Sequence, residues 1–417
     1  MKLSPAFRSL QYPNYRLYFI GQSISLISTW MQRMAMGWLV YRLTHSGFML
    51  GIVSFASLIP TFILSPYAGV ITDRRDKYKL LLTTQIAAMI QASILAIAVL
   101  SGYYNITLII LLSATLGIIN TFDSPSRQSL MVKLVNDKKD IHNAIALNSS
   151  MVNMARLAGP VIAGIVLYQF GEGLCFLLNT LSFIAVITCL LLMKLPKHIY
   201  TKTTKNMWQE FHEGYVYLRN SPQLLRIIIM LGLLSLLLMP YATLLPIFAK
   251  DIFHGNAKTY TLLSACSGLG SLAGAYFLAS RKTDHNLNRY ILIASFFFGL
   301  GLFLFAVSTQ LPLALFFIIV AGGGMMTCIA AGNTLVQTEV GDHMRGRVMS
   351  FYSMVFFGMQ PIGSFFIGLL SDHIGARVTV GLQGCMGLAL AACFLPGLYK
   401  AHKQLSKPAN AAIHTAQ

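Results

Sequence analysis

Charge is what this chain has least of. Asp, Glu, Lys and Arg make up 11% of its 417 residues, and only 13 of those are acidic. A soluble domain of that length cannot keep so little charge on its surface, so a water-soluble globular fold is excluded. Cysteine chemistry is also scarce. Cys175, Cys189, Cys266, Cys328, Cys385 and Cys393 show neither C-x-x-C nor zinc-ligand spacing and lie in or beside apolar segments, where they read as small core residues. No G-x-x-x-x-G-K-S/T string is present, so no ATP motor is built in; H-E-x-x-H and G-x-S-x-G are missing too. No catalytic constellation stands out. Neither enzyme activity, a cofactor nor a metal is expected.

What is present is apolar length. Hydrophobic residues are 55% of the chain. Twelve long runs are predicted as helices over 16–43, 47–72, 79–101, 105–132, 141–169, 173–195, 223–250, 258–280, 288–309, 311–339, 345–371 and 377–399. Each has about 20 residues or more, enough to cross the ~30 Å hydrocarbon core. Only elements that satisfy their own backbone hydrogen bonds survive there, so the fold class is an all-α membrane protein of twelve transmembrane helices in two six-helix halves. The expected layout is a first half over 1–195, a connection over 196–222, a second half over 223–400 and a polar, disordered tail over 401–417. Within the connection, Trp208, Phe211, Tyr215 and Leu218 form one stripe, which predicts a surface helix on the membrane.

The net charge of +18 is spread in short groups between apolar runs, which excludes a nucleic-acid surface. About 24 Lys and Arg fall on one set of alternate connections and about 4 on the other. That asymmetry predicts both termini and the central connection in the cytoplasm, in a bacterial-type inner membrane. A twelve-helix bundle without a large soluble domain points to a transporter.

Several strings carry mechanism. The loop after the second run reads Gly69-Val70-Ile71-Thr72-Asp73-Arg74-Arg75-Asp76-Lys77. Gly69 lets two helices approach closely, and Asp73 at a helix end can pair with a neighbouring cation such as Arg74 or Lys77 and latch one conformer. A fainter copy runs Gly368-Leu369-Leu370-Ser371-Asp372, with Arg377 beyond it. By the predicted topology it lies outside, as an outer latch. The fifth run holds Gly159-Pro160-Val161-Ile162-Ala163-Gly164, a bend with small residues for a tight helix contact.

Together these strings resemble the major facilitator superfamily (MFS). The loop is similar to its motif G-x-x-x-D-R-x-G-R-R/K, with Asp76 where many members have Gly. The fifth run is similar to the G-P-x-x-G-G motif of its proton-coupled antiporters, with Ala163 in place of one Gly. Trp30 to Ser46, Phe122 to Gln128, Asn143 to Leu157 and Arg345-Gly346-Arg347 resemble the branch holding macrolide-type drug efflux proteins and the enterobactin exporter. The resemblance covers nearly the whole chain. It implies a secondary active exporter with alternating access, a central site between the halves near the midplane, and proton antiport.

Ionisable residues inside membrane helices are the first functional candidates. Asp123 is the candidate proton carrier, because a poorly solvated carboxylate holds a proton more readily and a nearby Arg reverses this. Arg156 or Arg127 would be its switching partner; the other reading makes Asp123 and Arg127 a helix-end latch. Arg33 either attracts an anionic group or snorkels as an anchor. Gln22, Gln32, Asn148, Asn153, Tyr241, Asn333, Gln337 and Gln360 either line the cavity or bind helices together. The expected partners are a small amphipathic substrate, protons and the bilayer, with the chain a monomer. Drug-like compounds and siderophore-like metabolites are both open as cargo. A lysophospholipid flippase, or a non-transporting receptor or assembly protein on the same scaffold, are the rival readings.

Overall fold

A computed structural model describes residues 5–135, 137–194, 207–281, 287–341 and 343–405. Among them there is no strand. A short 3₁₀ helix, Pro5–Gln11, precedes α1 (Pro13–Thr44), α2 (Gly47–Arg74), α3 (Lys77–Leu100), α4 (Ile106–Lys133), α5 (Lys138–Leu191), α6 (Met207–Arg219), α7 (Pro222–Leu237), α8 (Ala257–Ala279), α9 (Leu287–Val307), α10 (Leu311–Glu339), α11 (Arg345–Ile374) and α12 (Ala376–Leu405). Ten apolar segments are long enough to cross a bilayer. One of them is α5, which Gly171 at φ 79° breaks into two limbs, each of membrane-spanning length. Gln22, Gln32 and Arg33 keep α1 below that threshold of hydropathy, yet its 32 residues make it the twelfth span. The described residues therefore supply the twelve spans that the sequence predicts.

The boundaries have local causes. Ser46, Asp76, Asn105 and Asp137 cap α2, α3, α4 and α5 with side-chain oxygens on the first-turn amides. Asp76, the departure from the MFS motif, thus has a structural role, since its carboxylate accepts from the Tyr78 and Lys79 amides. Pro13 and Pro222 open α1 and α7. A helix, α6, forms within the central connection over Met207–Arg219. The helix α12 runs to Leu405, five residues into the stretch expected to be disordered. Residues 406–417 lie outside the described region.

The chain divides into two compact units. One holds Met1–Lys205, Pro240–Gly268 and Gln360–Ala376; the other holds Asn206–Met239, Leu269–Met359 and Arg377–Gln417. In the first unit, α1 to α5 are joined by the stretch that follows α7, the first half of α8 and the last half of α11. Beyond Leu237 the chain of α7 tightens to a 3₁₀ turn, Met239–Leu244, then widens to a π turn, Phe248–Ile252, because Pro240 and Pro246 lack the amide an α-helix needs.

Lipid tails give helices little hydrophobic reason to associate, so close backbones and buried hydrogen bonds hold the first unit. Gln32 shows the pattern. Its carbonyl accepts from Asn179 at 2.7 Å and its amide donates to Gln91 at 3.4 Å, while Gln91 donates to the Leu112 carbonyl. At one end, buried Asp140 accepts from Arg8 at 3.0 Å, Gln11 at 3.1 Å and Tyr12 at 2.8 Å, fastening the 3₁₀ helix to α5. The hydrogen bond to Asp140 raises the Tyr12 phenol above its ordinary pKa. In the second unit, Arg347 pairs with Glu213 at 2.5 Å, tying α6 to α11.

Candidate functional site

Three places in the first unit gather the polar chemistry. The first is an indole between two guanidiniums. Trp30 and Arg33 are neighbours along α1, and α5 brings in Arg156 because Gly159, one turn on, has no side chain: a Cβ there would overlap Trp30. The Arg33 and Arg156 guanidinium carbons lie 4.9 and 5.5 Å from the Trp30 ring centroid. Cation–π attraction helps hold both, but the two charges repel each other. Arg156 also interacts with Tyr241, whose hydroxyl shares a 2.6 Å hydrogen bond with Ser267. Arg33 is exposed, and among the described residues it has no carboxylate partner. The described acids of this unit are engaged elsewhere: Asp123, Asp140 and Glu172 with Arg127, Arg8 and Arg42, Asp76 and Asp137 as helix caps, Asp251 with Tyr41, and Asp372 with the start of α2. The geometry is that of an anion-accepting surface with an aromatic floor.

The second place is Asp123 on α4, 7% exposed. Its Oδ1 accepts from Thr84 at 3.0 Å and Gln85 at 2.6 Å, both on α3. Its Oδ2 lies 3.7 Å from Arg127, one turn later, and Arg127 also donates to Gln22 of α1 at 3.3 Å. The partner brought to Asp123 is therefore Arg127, while Arg156 goes to Trp30. Helix α5 carries Arg156 on the face that meets α1, away from α4.

The third place is the start of α2. Asp372 of α11 accepts from Ser46 Oγ at 2.6 Å, the Gly47 amide at 2.6 Å and the Phe48 amide at 3.2 Å. A carboxylate on a helix N-terminus satisfies orphan amides and meets the positive end of the dipole. Gly51 and Gly368 bring the two backbones together just below. Asp372→Asn is expected to lower stability by about 1 kcal/mol, an effect that shrinks with salt. Thermal unfolding in detergent at low and high salt checks this; an unchanged midpoint at low salt would remove the latch. Arg377, from the same string, instead donates to the Ser308 carbonyl at 3.1 Å in the second unit.

The remaining predicted residues scatter. Asn148 accepts from buried Tyr18 at 3.1 Å, and Asn153 donates back to Ser149 in its own helix. Gln337 donates to Asn333 at 3.1 Å, along α10 in the second unit. Gln360 is half-buried on α11, beside the in-helix Pro361. Pro160 is buried in α5, and Gly164 receives Thr261 of α8 where a Cβ would overlap its hydroxyl. Lys77 opens α3. The surroundings of Gly69 and the side chains of Asp73 and Arg74 lie outside the described region. Sequence reasoning missed two pairs: Arg42 with Glu172 at 2.8 Å, and Tyr41 donating to Asp251. Glu172 follows the Gly171 break and reads in sequence as an ordinary turn acid.

This architecture is that of a multi-pass membrane transporter, and solved structures agree. A POT family transporter in complex with 5-aminolevulinic acid superposes with a TM-score of 0.75 at 13% identity, over 93% of this chain and 96% of that one. Residues 4–411 match the transmembrane secretion effector family of MFS proteins, and the chain belongs to that family. It is 28% identical to the staphyloferrin A transporter of Staphylococcus aureus (strain NCTC 8325 / PS 47), over 90% of this chain and 94% of that protein. It is 22% identical to macrolide efflux protein A of Streptococcus pyogenes, over 91% and 96%. The protein is thus an MFS-type efflux transporter for a small molecule and not an enzyme.

Proposed function

We propose that the protein expels an anionic, oxygen-rich amphipathic compound of siderophore type from the cytoplasm, in exchange for protons. It sits in a bacterial inner membrane as a monomer with both termini inside. Cargo rests on Trp30 between Arg33 and Arg156, and alternating access then turns it outward. Proton uptake at Asp123 breaks its attraction to Arg127 and resets the carrier. The observation that carries this reading is the pair of arginines on one indole, with Arg33 exposed and lacking a carboxylate. Two like charges at such depth are costly, and a bound anion relieves the cost. The relative named for staphyloferrin A supports the cargo class.

The relative named for macrolide efflux favours a second reading, a hydrophobic drug. Proton movement in proteoliposomes separates the two. The compounds would be a hydroxycarboxylate siderophore, a catecholate siderophore, a macrolide, a lipophilic cation and a lysophospholipid. A siderophore is expected to trigger flux. Arg33→Gln and Arg156→Gln should each weaken its apparent affinity roughly tenfold, the loss of one charge-assisted contact. Flux with the macrolide alone, unchanged in both variants, would overturn the anionic cargo.

A further inference from the structure

A cavity of about 250 Å³ in the second unit is lined by Arg219, Pro222, Leu225, Arg226, Ile229 and Phe394. We infer that it holds one anionic phospholipid, its phosphate between Arg219 and Arg226 and an acyl chain along Leu225, Ile229 and Phe394. The inference is independent of the cargo and of proton coupling.

The level of the cavity in the membrane is the first support. The apolar span of α7 starts at Pro222, which lines the cavity and follows the polar central connection, so the cavity lies at the boundary between hydrocarbon and head groups. Arg219 closes helix α6 just outside that boundary. Arg226 lies one turn inside it, about 6 Å along the helix. A guanidinium there extends its stem along apolar surface and its charge toward the phosphates.

The shape of the row is the second support. Pro222, Leu225, Arg226 and Ile229 fall on one face of the first two turns of α7. Ile229 and Arg219 are exposed. A row that is open to the outside, apolar below and cationic above matches a phospholipid from end to end. The third support is charge. Among the described residues, neither Arg219 nor Arg226 forms an ion pair. Among the described acids, Glu213 pairs with Arg347 and Glu339 accepts from Gln223 at 2.9 Å. Basic pockets between helices at this level recognise acidic head groups.

The test uses the full chain, purified and stripped of lipid, with native mass spectrometry of added phosphatidylglycerol against phosphatidylcholine. Wild type is expected to retain one phosphatidylglycerol and to discriminate against phosphatidylcholine. Arg219→Gln with Arg226→Gln should reduce that preference roughly thirtyfold. Ile229→Trp keeps both charges and fills the apolar floor; it should lower phosphatidylglycerol occupancy, and it decides the matter if the double variant folds poorly. Equal retention of the two lipids by wild type would overturn the inference, as would a preference that survives both changes. Displacement of the lipid by inorganic phosphate would reveal a small-anion site instead, and would also overturn it.

Discussion

In proteoliposomes, Asp123→Asn is expected to abolish cargo-driven proton flux and leave cargo binding intact. The substitution is mild for the fold. Asn keeps an oxygen for the Thr84 hydroxyl and the Gln85 amide, so the contact of α4 with α3 persists. The weakened hydrogen bonds cost about 1 kcal/mol. What disappears is the titratable charge and its pull on Arg127. At 3.7 Å that pull is loose, and Arg127 already divides itself between Asp123 and Gln22. Such a pair can be made and broken within one cycle, whereas a buried bidentate pair resists rupture. Parallel measurements of proton flux and of cargo binding decide it. Wild-type flux in Asp123→Asn would make the pair a latch at the end of α4 and remove it as the proton carrier.

Gly51→Leu is expected to stop transport by a different route. A Cβ at Gly51 would meet the Ser364 carbonyl at 2.6 Å and the Gly368 Cα at 3.2 Å. Those neighbours are backbone, which cannot swing aside as a flexible side chain would. Helices α2 and α11 must part at this contact, and the grip of Asp372 on the α2 amides goes with it. Overpacking of this kind costs about 1–3 kcal/mol. Transport should fall to the level of empty liposomes, and the thermal midpoint should drop. Gly368→Leu should behave alike, since its Cβ would sit 2.9 Å from the Gly51 Cα. Gly346→Ala is the control, because nothing lies within 4 Å of a Cβ there. Wild-type transport by Gly51→Leu would show that the tight contact is not needed in the cycle.

The helices were legible because a bilayer converts composition into structure. A run of about 20 apolar residues has few stable options besides a spanning helix, so the spans from α2 onward could be counted from hydropathy. Even α1, with its polar residues, was marked by length and flanking charge. The family was legible for a related reason: close helix contacts and helix ends demand small residues and acids at fixed spacing, as in Gly159-Pro160 and Gly368 to Asp372. The partners of each side chain were not legible. Gln32 has the look of a cavity residue in sequence, yet Asn179 and Gln91 occupy its amide.

The sequence by itself determined the membrane class, the twelve spans, the helix in the central connection, the superfamily and the short list of ionisable residues in the membrane. Only the tertiary structure decided that Arg156 of α5 faces Trp30 of α1, leaving Asp123 to Arg127, its neighbour one turn along α4. It also decided that Asp372 closes on the start of α2, some 325 residues earlier in the chain. The physical reason is range. Hydropathy and helix spacing act over one or two turns, which reaches from Asp123 to Arg127, whereas Arg156 meets Trp30 and Asp372 meets Gly47 across separate helices, at a rotation that backbone packing alone fixes.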